Sequence, residues 1–188
     1  FPFGFKELEG IHSRTDFDLG AHEKYSGRKL QYFDPERNET YVPYVVETSI
    51  GLDRMFLALF SHCLKNEVLE DGSERVVLAL PPALAPVKAA ILPLVKKDGL
   101  PELAEKIFND LKYDFNIISE EKDSIGKRYR RQDAIGTPFC ITVDHDSLAD
   151  GTVTLRERDT MKQERVKIED LRKIIDDKVN FRTLLSKI

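Results

Sequence analysis

Apolar positions in the first part of the chain fall into short β-branched and aromatic runs. Residues 29–33 and 40–46 read as strands separated by the turn residues Asp34-Pro35-Glu36-Arg37-Asn38. Residues 1–9 read as a buried strand and residues 14–22 as a turn with a short helix. The period then changes. Met55, Phe56, Leu59 and Phe60 recur at helical spacing, which predicts a helix over 51–64 with an apolar stripe. Residues 68–73 form an acidic loop closed by Asp71-Gly72, and 75–80 a short apolar strand. Pro81-Pro82-Ala83-Leu84-Ala85-Pro86 reads as a linker, because proline removes amide donors and fixes φ.

Beyond the prolines the pattern alternates. Strands are expected at 87–94, 114–118 and 139–143, with helices at 100–111 and 124–135 between them. A strand pair at 152–157 and 164–166 follows, and a helix over 168–179 closes the pattern. Asp98-Gly99-Leu100-Pro101 marks a helix entry, with proline in the first turn where its missing amide costs nothing. Strands interleaved with helices and ending in a hairpin predict an α/β layer with a mixed five-stranded sheet. The expected division is therefore 1–84 and 85–188.

Composition changes this picture little. At 188 residues and 41 % apolar content the chain can form one or two packed units. No apolar run approaches a membrane span and no leader pattern is present, so no membrane partner and a cytoplasmic location are expected. Cys63 and Cys140 stand far apart, outside any Cys-x-x-Cys, and read as buried small hydrophobes. Asp144-His145-Asp146 reads as a solvated loop at a strand end. Net charge is −4, but unevenly placed: −5 over 1–84 and +1 over 85–188. The second half holds Lys127-Arg128-Tyr129-Arg130-Arg131, making it the better nucleic-acid candidate, since local potential governs phosphate contact.

The most informative stretch is Glu47-Thr48-Ser49-Ile50-Gly51-Leu52-Asp53-Arg54. It gathers a carboxylate, two hydroxyls, a bare backbone position and a guanidinium where a strand enters a helix. Helix N-termini attract anions, glycine permits close backbone approach, and arginine offers a fork to phosphate. That set suits a charged small molecule. Ser124-Ile125-Gly126-Lys127-Arg128 echoes the end of a phosphate-binding loop. However, Glu121 stands where the first glycine belongs and Arg128 where a magnesium-binding hydroxyl belongs. It reads instead as a basic helix start facing an RNA backbone, with Tyr129 available to stack.

The octapeptide resembles the third signature motif of class II aminoacyl-tRNA synthetases in its glycine-specific form, with Thr48 in place of the usual proline. Upstream, Glu7-Leu8-Glu9-Gly10-Ile11-His12-Ser13-Arg14-Thr15-Asp16-Phe17-Asp18-Leu19 resembles a glycyl-tRNA synthetase segment, with His12 where that family carries alanine. Leu84-Ala85-Pro86, Ala89-Ala90-Ile91-Leu92-Pro93-Leu94, Ser124-Ile125-Gly126-Lys127-Arg128-Tyr129, Asp133-Ala134-Ile135-Gly136-Thr137-Pro138 and Thr154-Leu155-Arg156-Glu157-Arg158-Asp159-Thr160-Met161 are similar to the family's anticodon-binding domain.

This resemblance implies an α/β protein: the C-terminal part of an antiparallel-sheet catalytic domain (1–84), then an anticodon-binding domain (85–188). It implies ATP-dependent attachment of glycine to its tRNA through a glycyl-adenylate. Arg54 and Glu47 are the expected catalytic residues. Glu7, Leu8, Gly51, Leu52, Asp53 and Arg54 line the ATP site; Glu9, Glu47, Thr48, Ser49, Ile50 and Gly51 line the glycine pocket. Glu7 and Glu47 hold Mg²⁺, which favours one or two carboxylates beside phosphate oxygens. Lys127, Arg128, Arg130 and Arg131 meet the glycine tRNA. For Arg14 and Asp16 an internal ion pair that shapes the site is an equal alternative. The full-length protein is expected to be a homodimer. No segment resembles the family's first or second motif, and the chain opens on Phe1-Pro2-Phe3-Gly4-Phe5, so it reads as beginning inside a larger protein and as inactive alone. A synthetase-like module that binds RNA or protein without aminoacylation is the alternative.

Overall fold

The structure is a computed structural model that describes residues 1–186, and it divides into two compact units, Phe1–Ser61 and His62–Ile188. The first unit is built on β1 (Glu9–Thr15), α1 (Phe17–Ser26), β2 (Tyr32–Asp34), β3 (Glu39–Tyr41) and β4 (Val45–Ile50), with α2 (Leu52–Cys63) following. β1 and β4 pair antiparallel from Glu9↔Ile50 to Thr15↔Val45, with an irregularity between Ser13 and Thr15. β2 and β3 form a small hairpin. Helix α1 closes on Gly27 at φ 68°, whose amide donates to the Glu23 carbonyl.

The expected buried strand at 1–9 does not form. Strand pairing begins at Glu9, opposite the last residue of β4, so the preceding residues have no ladder to join. Phe5 is fully exposed. No residue of 1–61 is buried, although Phe17, Tyr44, Val46, Leu52 and Phe56 are apolar and open to solvent.

The second unit starts with a hairpin of β5 (Leu64–Val68) and β6 (Glu74–Leu78). Its turn is held by Asp71 Oδ1, which accepts from the Ser73 amide (2.9 Å) and hydroxyl (2.7 Å), while Gly72 takes φ 78°. Pairing of 64–68 was not legible, because its mixed polar sequence carries no alternation. The chain continues through β7 (Ala89–Pro93), α3 (Leu100–Leu111), β8 (Ile117–Ser119), α4 (Ile125–Ile135), β9 (Phe139–Val143), α5 (His145–Asp150), β10 (Thr152–Glu157) and β11 (Gln163–Lys167). A 3-10 turn at Ile168–Asp170, α6 (Leu171–Val179) and α7 (Phe181–Leu185) complete it.

The mixed five-stranded sheet has the order β11-β10-β9-β7-β8, with β7 parallel to β8 and β9 and the other neighbours antiparallel. Strand β7 is buried throughout. Its alternate residues serve two cores, since successive side chains point to opposite faces. Ala89 and Ile91 join Leu100, Ala104, Ile107 and Leu111 of α3 and Leu171, Ile175 and Val179 of α6. Ala90 and Leu92 meet Cys140, Ile125 and Tyr129 on the α4 side. The unit is therefore three layers, α3 with α6, the sheet, and α4. The i, i+4, i+7, i+11 stripe of α3 is the deepest helical contribution, and truncating Leu100 or Ile107 to alanine removes about 2–5 kcal/mol.

The proline segment is not a free linker. Ala85 is 1 % exposed, and Lys88 Nζ donates to the carbonyls of Pro82 (3.2 Å) and Ala83 (2.8 Å). The break expected at 84/85 thus differs from the division of contacts at 61/62. Strand β6 packs on α4, and the Arg75 side chain is buried with Asp133, which draws 62–80 into the second unit.

Candidate functional site

The first cluster lies where β1, β4 and α2 meet. Residues directly opposite in an antiparallel pair share a face. His12↔Glu47 and Gly10↔Ser49 therefore place Glu47 and Ser49 on one face, while Glu9↔Ile50 and Ile11↔Thr48 place Glu9, Thr48 and Ile50 on the other. The structure does not gather Glu9 with Glu47 and Ser49, because the period-2 pleat separates them. Gly10 adjoins the His12 ring: a Cβ there would stand 2.5 Å from Nε2.

Arg54 is the third residue of α2, three residues after Gly51, whose carbonyl accepts from the Met55 amide (2.9 Å). Its Nη1 donates to the Glu7 carbonyl at 2.6 Å, across 47 positions of sequence. Glu7 and Arg54 are thus brought together, through the Glu7 main chain rather than its carboxylate. Leu8 sits half-buried beside them in sequence, and Leu52 and Asp53 are exposed at the helix start.

Arg14 does not pair with Asp16. It donates twice to Asp18 (2.9 Å each) and its Nε lies 3.3 Å from Glu47 Oε2. Asp16 precedes the helix, whereas Asp18, four residues on from Arg14, lies in its first turn. The hydrogen bond with Asp18 raises the Arg14 pKa, and its reciprocal effect holds the Asp18 carboxyl below its usual range. Glu47 is therefore oriented by a cation, with its carboxylate still open to solvent.

The second cluster is α4. Lys127 is exposed and Arg130 half-buried, in keeping with a basic surface. Arg128 is not on that surface. It is 2 % exposed, with Nη1 donating to Pro93 O (2.7 Å) and Glu120 O (3.1 Å) and Nη2 to Leu94 O (3.2 Å). Arg131 is engaged by Glu120 Oε1 (2.7 Å), Asp123 Oδ2 (2.9 Å) and the Lys122 carbonyl (2.7 Å). Tyr129 is not free to stack: its hydroxyl is 2.6 Å from Thr142 Oγ1, and the Arg156 guanidinium lies over its ring at 4.8 Å. Helical periodicity explains the correction, since consecutive basic residues 100° apart cannot all face outward.

The residues missed from the sequence are Arg75, Asp133, Arg156 and Arg158, all at most 4 % exposed. Asp133 accepts from Arg156 at 2.8 and 3.0 Å and from Arg75 at 3.1 Å. Burial opposes the Arg156 charge, but its hydrogen bonds and attraction to Asp133 outweigh this and raise its pKa. Arg158 donates to Gly136 O and Leu80 O, both at 2.7 Å. The available signal was the alternation Thr154-Leu155-Arg156, which puts an arginine on the α4 face of a strand whose other face is core. Asp144, read as loop, begins α5: its side chain accepts from the Ser147 amide in a reciprocal capping box, and His145 Nε2 lies 3.2 Å from Asp98 Oδ2.

Among the described residues no group of three or more His, Cys, Asp or Glu side chains forms a metal-holding cluster, and no helix is long and apolar enough to cross a membrane. Cys63 and Cys140 are both buried and free.

Residues 88–178 match the family model of the anticodon binding domain. A glycine–tRNA ligase of Chlorobaculum tepidum is 58 % identical over 166 residues, covering 88 % of this chain and 35 % of the relative. Those of Clostridium perfringens and Borrelia hermsii are 55 % and 54 % identical, covering 96 % and 91 % of this chain and 39 % of each relative. The chain is similar to glycine–tRNA ligases over most of its own length. It spans somewhat over a third of the length of the ligases it matches. The RNA binding domain of a threonyl-tRNA synthetase from Cryptosporidium parvum superposes with a TM-score of 0.63 at 21 % identity, over 79 % of this chain and 35 % of that one. That likeness concerns the fold. The ligase matches reach further than the anticodon-binding domain, because spans of 166 residues and more necessarily enter the first unit as well.

Proposed function

We propose that this chain is part of a glycine–tRNA ligase, in which 1–84 completes the catalytic domain and 85–188 binds the tRNA anticodon. The observation that carries the reading is the extent of the ligase similarity, which includes the strand–turn–helix unit around Arg54 as well as the anticodon-binding domain. The full-length protein then joins glycine to ATP as a glycyl-adenylate with release of pyrophosphate, and passes the glycyl group to the tRNA. It works in the cytoplasm as a homodimer.

In this reading Arg54 clamps the ATP phosphates, exchanging its hydrogen bond to the Glu7 carbonyl for phosphate oxygens. Gly51, Leu52 and Asp53 bring backbone amides of the α2 start to the nucleotide, beside Glu7 and Leu8. Glycine is held on the Glu47 and Ser49 face, where a carboxylate and a hydroxyl take its ammonium and Arg14 keeps Glu47 in place. Glu9, Thr48 and Ile50 support that strand pair from the opposite face. Refusal of larger amino acids is steric, since glycine offers no side chain to grip.

Glu7 and Glu47 fit Mg²⁺ in kind: both are exposed carboxylates, and hard oxygen donors are what this ion prefers. When bound, the ion neutralises phosphate charge. The chain's own contribution is to orient Glu47 through Arg14 and to keep Glu7 beside Arg54. Lys127 and Arg130 supply the cationic surface for tRNA phosphates.

Glycine-dependent exchange between ATP and pyrophosphate by the full-length protein tests this reading. Exchange with glycine and not with alanine or threonine is expected. Anticodon-dependent tRNA binding without any exchange would instead support a binding module.

A further inference from the structure

The feature this reading leaves unused is Arg128, a buried arginine whose partners are three main-chain carbonyls rather than a carboxylate. Of those carbonyls, Pro93 ends strand β7 and Leu94 follows it. The third, Glu120, follows strand β8. The third guanidinium nitrogen, Nε, is buried with no partner.

The position of these carbonyls in the topology matters. From β7 the chain passes through α3 to β8 on one side, then through α4 to β9 on the other side of β7. Connections that leave in opposite directions open a crevice outside the carboxyl ends of the strands, which is where open α/β sheets bind ligands. The Leu94 amide donates to Val143 O at 2.8 Å, so the ends of β7 and β9 meet there. Arg128 ties the chain leaving β7 to the chain leaving β8 at those carboxyl ends, and Arg131 and Gln132 hold Glu120 from the same helix. An apolar side chain of similar volume would fill the space with less desolvation. Only the guanidinium fork ties three carbonyls from two loops into one geometry.

We propose that Arg128 is a positioning residue for RNA recognition: it fixes the rim made by Pro93, Leu94 and Glu120 so that unpaired bases are discriminated there, and it makes no phosphate contact itself. This rests on the anticodon-binding reading. Sequence-specific RNA recognition depends on edges held in a set geometry, whereas phosphate attraction depends on surface charge. The two contributions therefore separate by experiment.

The test uses the 188-residue chain, wild type and with Arg128→Lys, Arg128→Gln or Lys127→Gln, titrated with a glycine tRNA and an anticodon-swapped copy at several salt concentrations. The ratio of the two affinities is expected to fall about tenfold in both Arg128 variants, the order of one lost base contact. The slope of log affinity against log salt should stay at the wild-type value, while Lys127→Gln lowers it by about 0.7–0.9. Hydrogen exchange is the second measurement, with faster exchange in 94–99 and 120–124 but not in β9 expected for Arg128→Lys. A lowered salt slope with the anticodon ratio intact overturns the proposal in favour of a direct phosphate contact. An unchanged ratio and slope with only a lower melting temperature overturns it in favour of plain packing. If the wild-type chain itself shows no preference between the two tRNAs, the anticodon reading falls, and that failure is visible without any variant.

Discussion

Arg75 and Asp133, 58 residues apart, form a buried ion pair with Nη1 3.1 Å from Oδ2, and the two side chains are 2 % and 0 % exposed. The pair joins the β5–β6 hairpin to helix α4. Arg156 donates to both oxygens of the same carboxylate, at 2.8 and 3.0 Å, so one buried anion serves two buried cations. Arg75 is further held by Glu67 and donates to the Arg158 carbonyl at 2.9 Å.

Removing the anion leaves buried Arg156 with no carboxylate partner and Arg75 with Glu67 alone. Asp133→Ala is expected to destabilise the second unit by about 3–5 kcal/mol. Urea denaturation of the 188-residue chain, followed by far-UV circular dichroism, measures this. A loss below about 1 kcal/mol would mean that water or other groups already solvate the cluster.

The same network sets where the second unit can be cut. Residues 62–188 should fold alone. Residues 87–188 lack Arg75 and the Leu80 carbonyl that accepts from Arg158, and are expected to be less stable by about 1–3 kcal/mol for the buried donors left unmet. Equal unfolding midpoints for the two fragments would make the hairpin an ornament of the domain.

Arg54 offers a test on the proposed catalytic side. In the full-length protein Arg54→Ala is expected to slow glycine-dependent pyrophosphate exchange at least about a hundredfold, with tRNA affinity unchanged. Near-normal exchange would reduce Arg54 to a tie between α2 and the Glu7 carbonyl.

The Cys140 thiol is pushed up to about 12 by burial, with the nearby Arg156 pulling the other way. Its folded value lies above the unfolded one, so the protein keeps it as a neutral thiol until the pH is well above 9. A thiol reagent at pH 8 should leave Cys140 unmodified in the native chain and label it quickly in denaturant. Mass spectrometry of the labelled peptides reads the outcome.

Asp144 behaves in the opposite sense. Burial disfavours its charge, yet hydrogen bonds from Arg165 and Ser147 outweigh that and hold the carboxyl below its usual range. A depressed folded value means the stabilisation is complete above the unfolded value of about 3.9 and is lost as pH falls through the folded one. The stability gap between wild type and Asp144→Asn should therefore be constant near pH 6–7 and close on acidification. A gap independent of pH would assign the cap to hydrogen bonding alone.

Helix α3 shows how much was legible in the sequence. Pro101 in its first turn and the Leu100, Ala104, Ile107, Leu111 stripe predicted 100–111, and the structure has the same bounds. Strand β9 at 139–143 was equally clear, because a continuous apolar run between turn signals reads as a buried strand. The short helix α5 was missed, since its cap depends on Asp144 meeting Ser147 three residues on, and the run of Asp, His and Asp around it resembles a loop. At the candidate site, the strand–glycine–helix junction around Gly51 was legible in the sequence. The face on which each β1 and β4 residue stands was not, because it needs the register between two strands 36 residues apart.

The sequence by itself determined most of the local elements, the mixed α/β class and the resemblance to glycine–tRNA ligases, because periodicity and contiguous motifs are properties of neighbours along the chain. Tertiary structure alone decided which charges are surface and which are interior. Lys127 and Arg128 are adjacent in sequence and chemically alike, yet one meets solvent and the other ties three carbonyls inside the domain. The difference is a 100° turn of one helix against a sheet, which places one side chain outside the packing layer and the next within it.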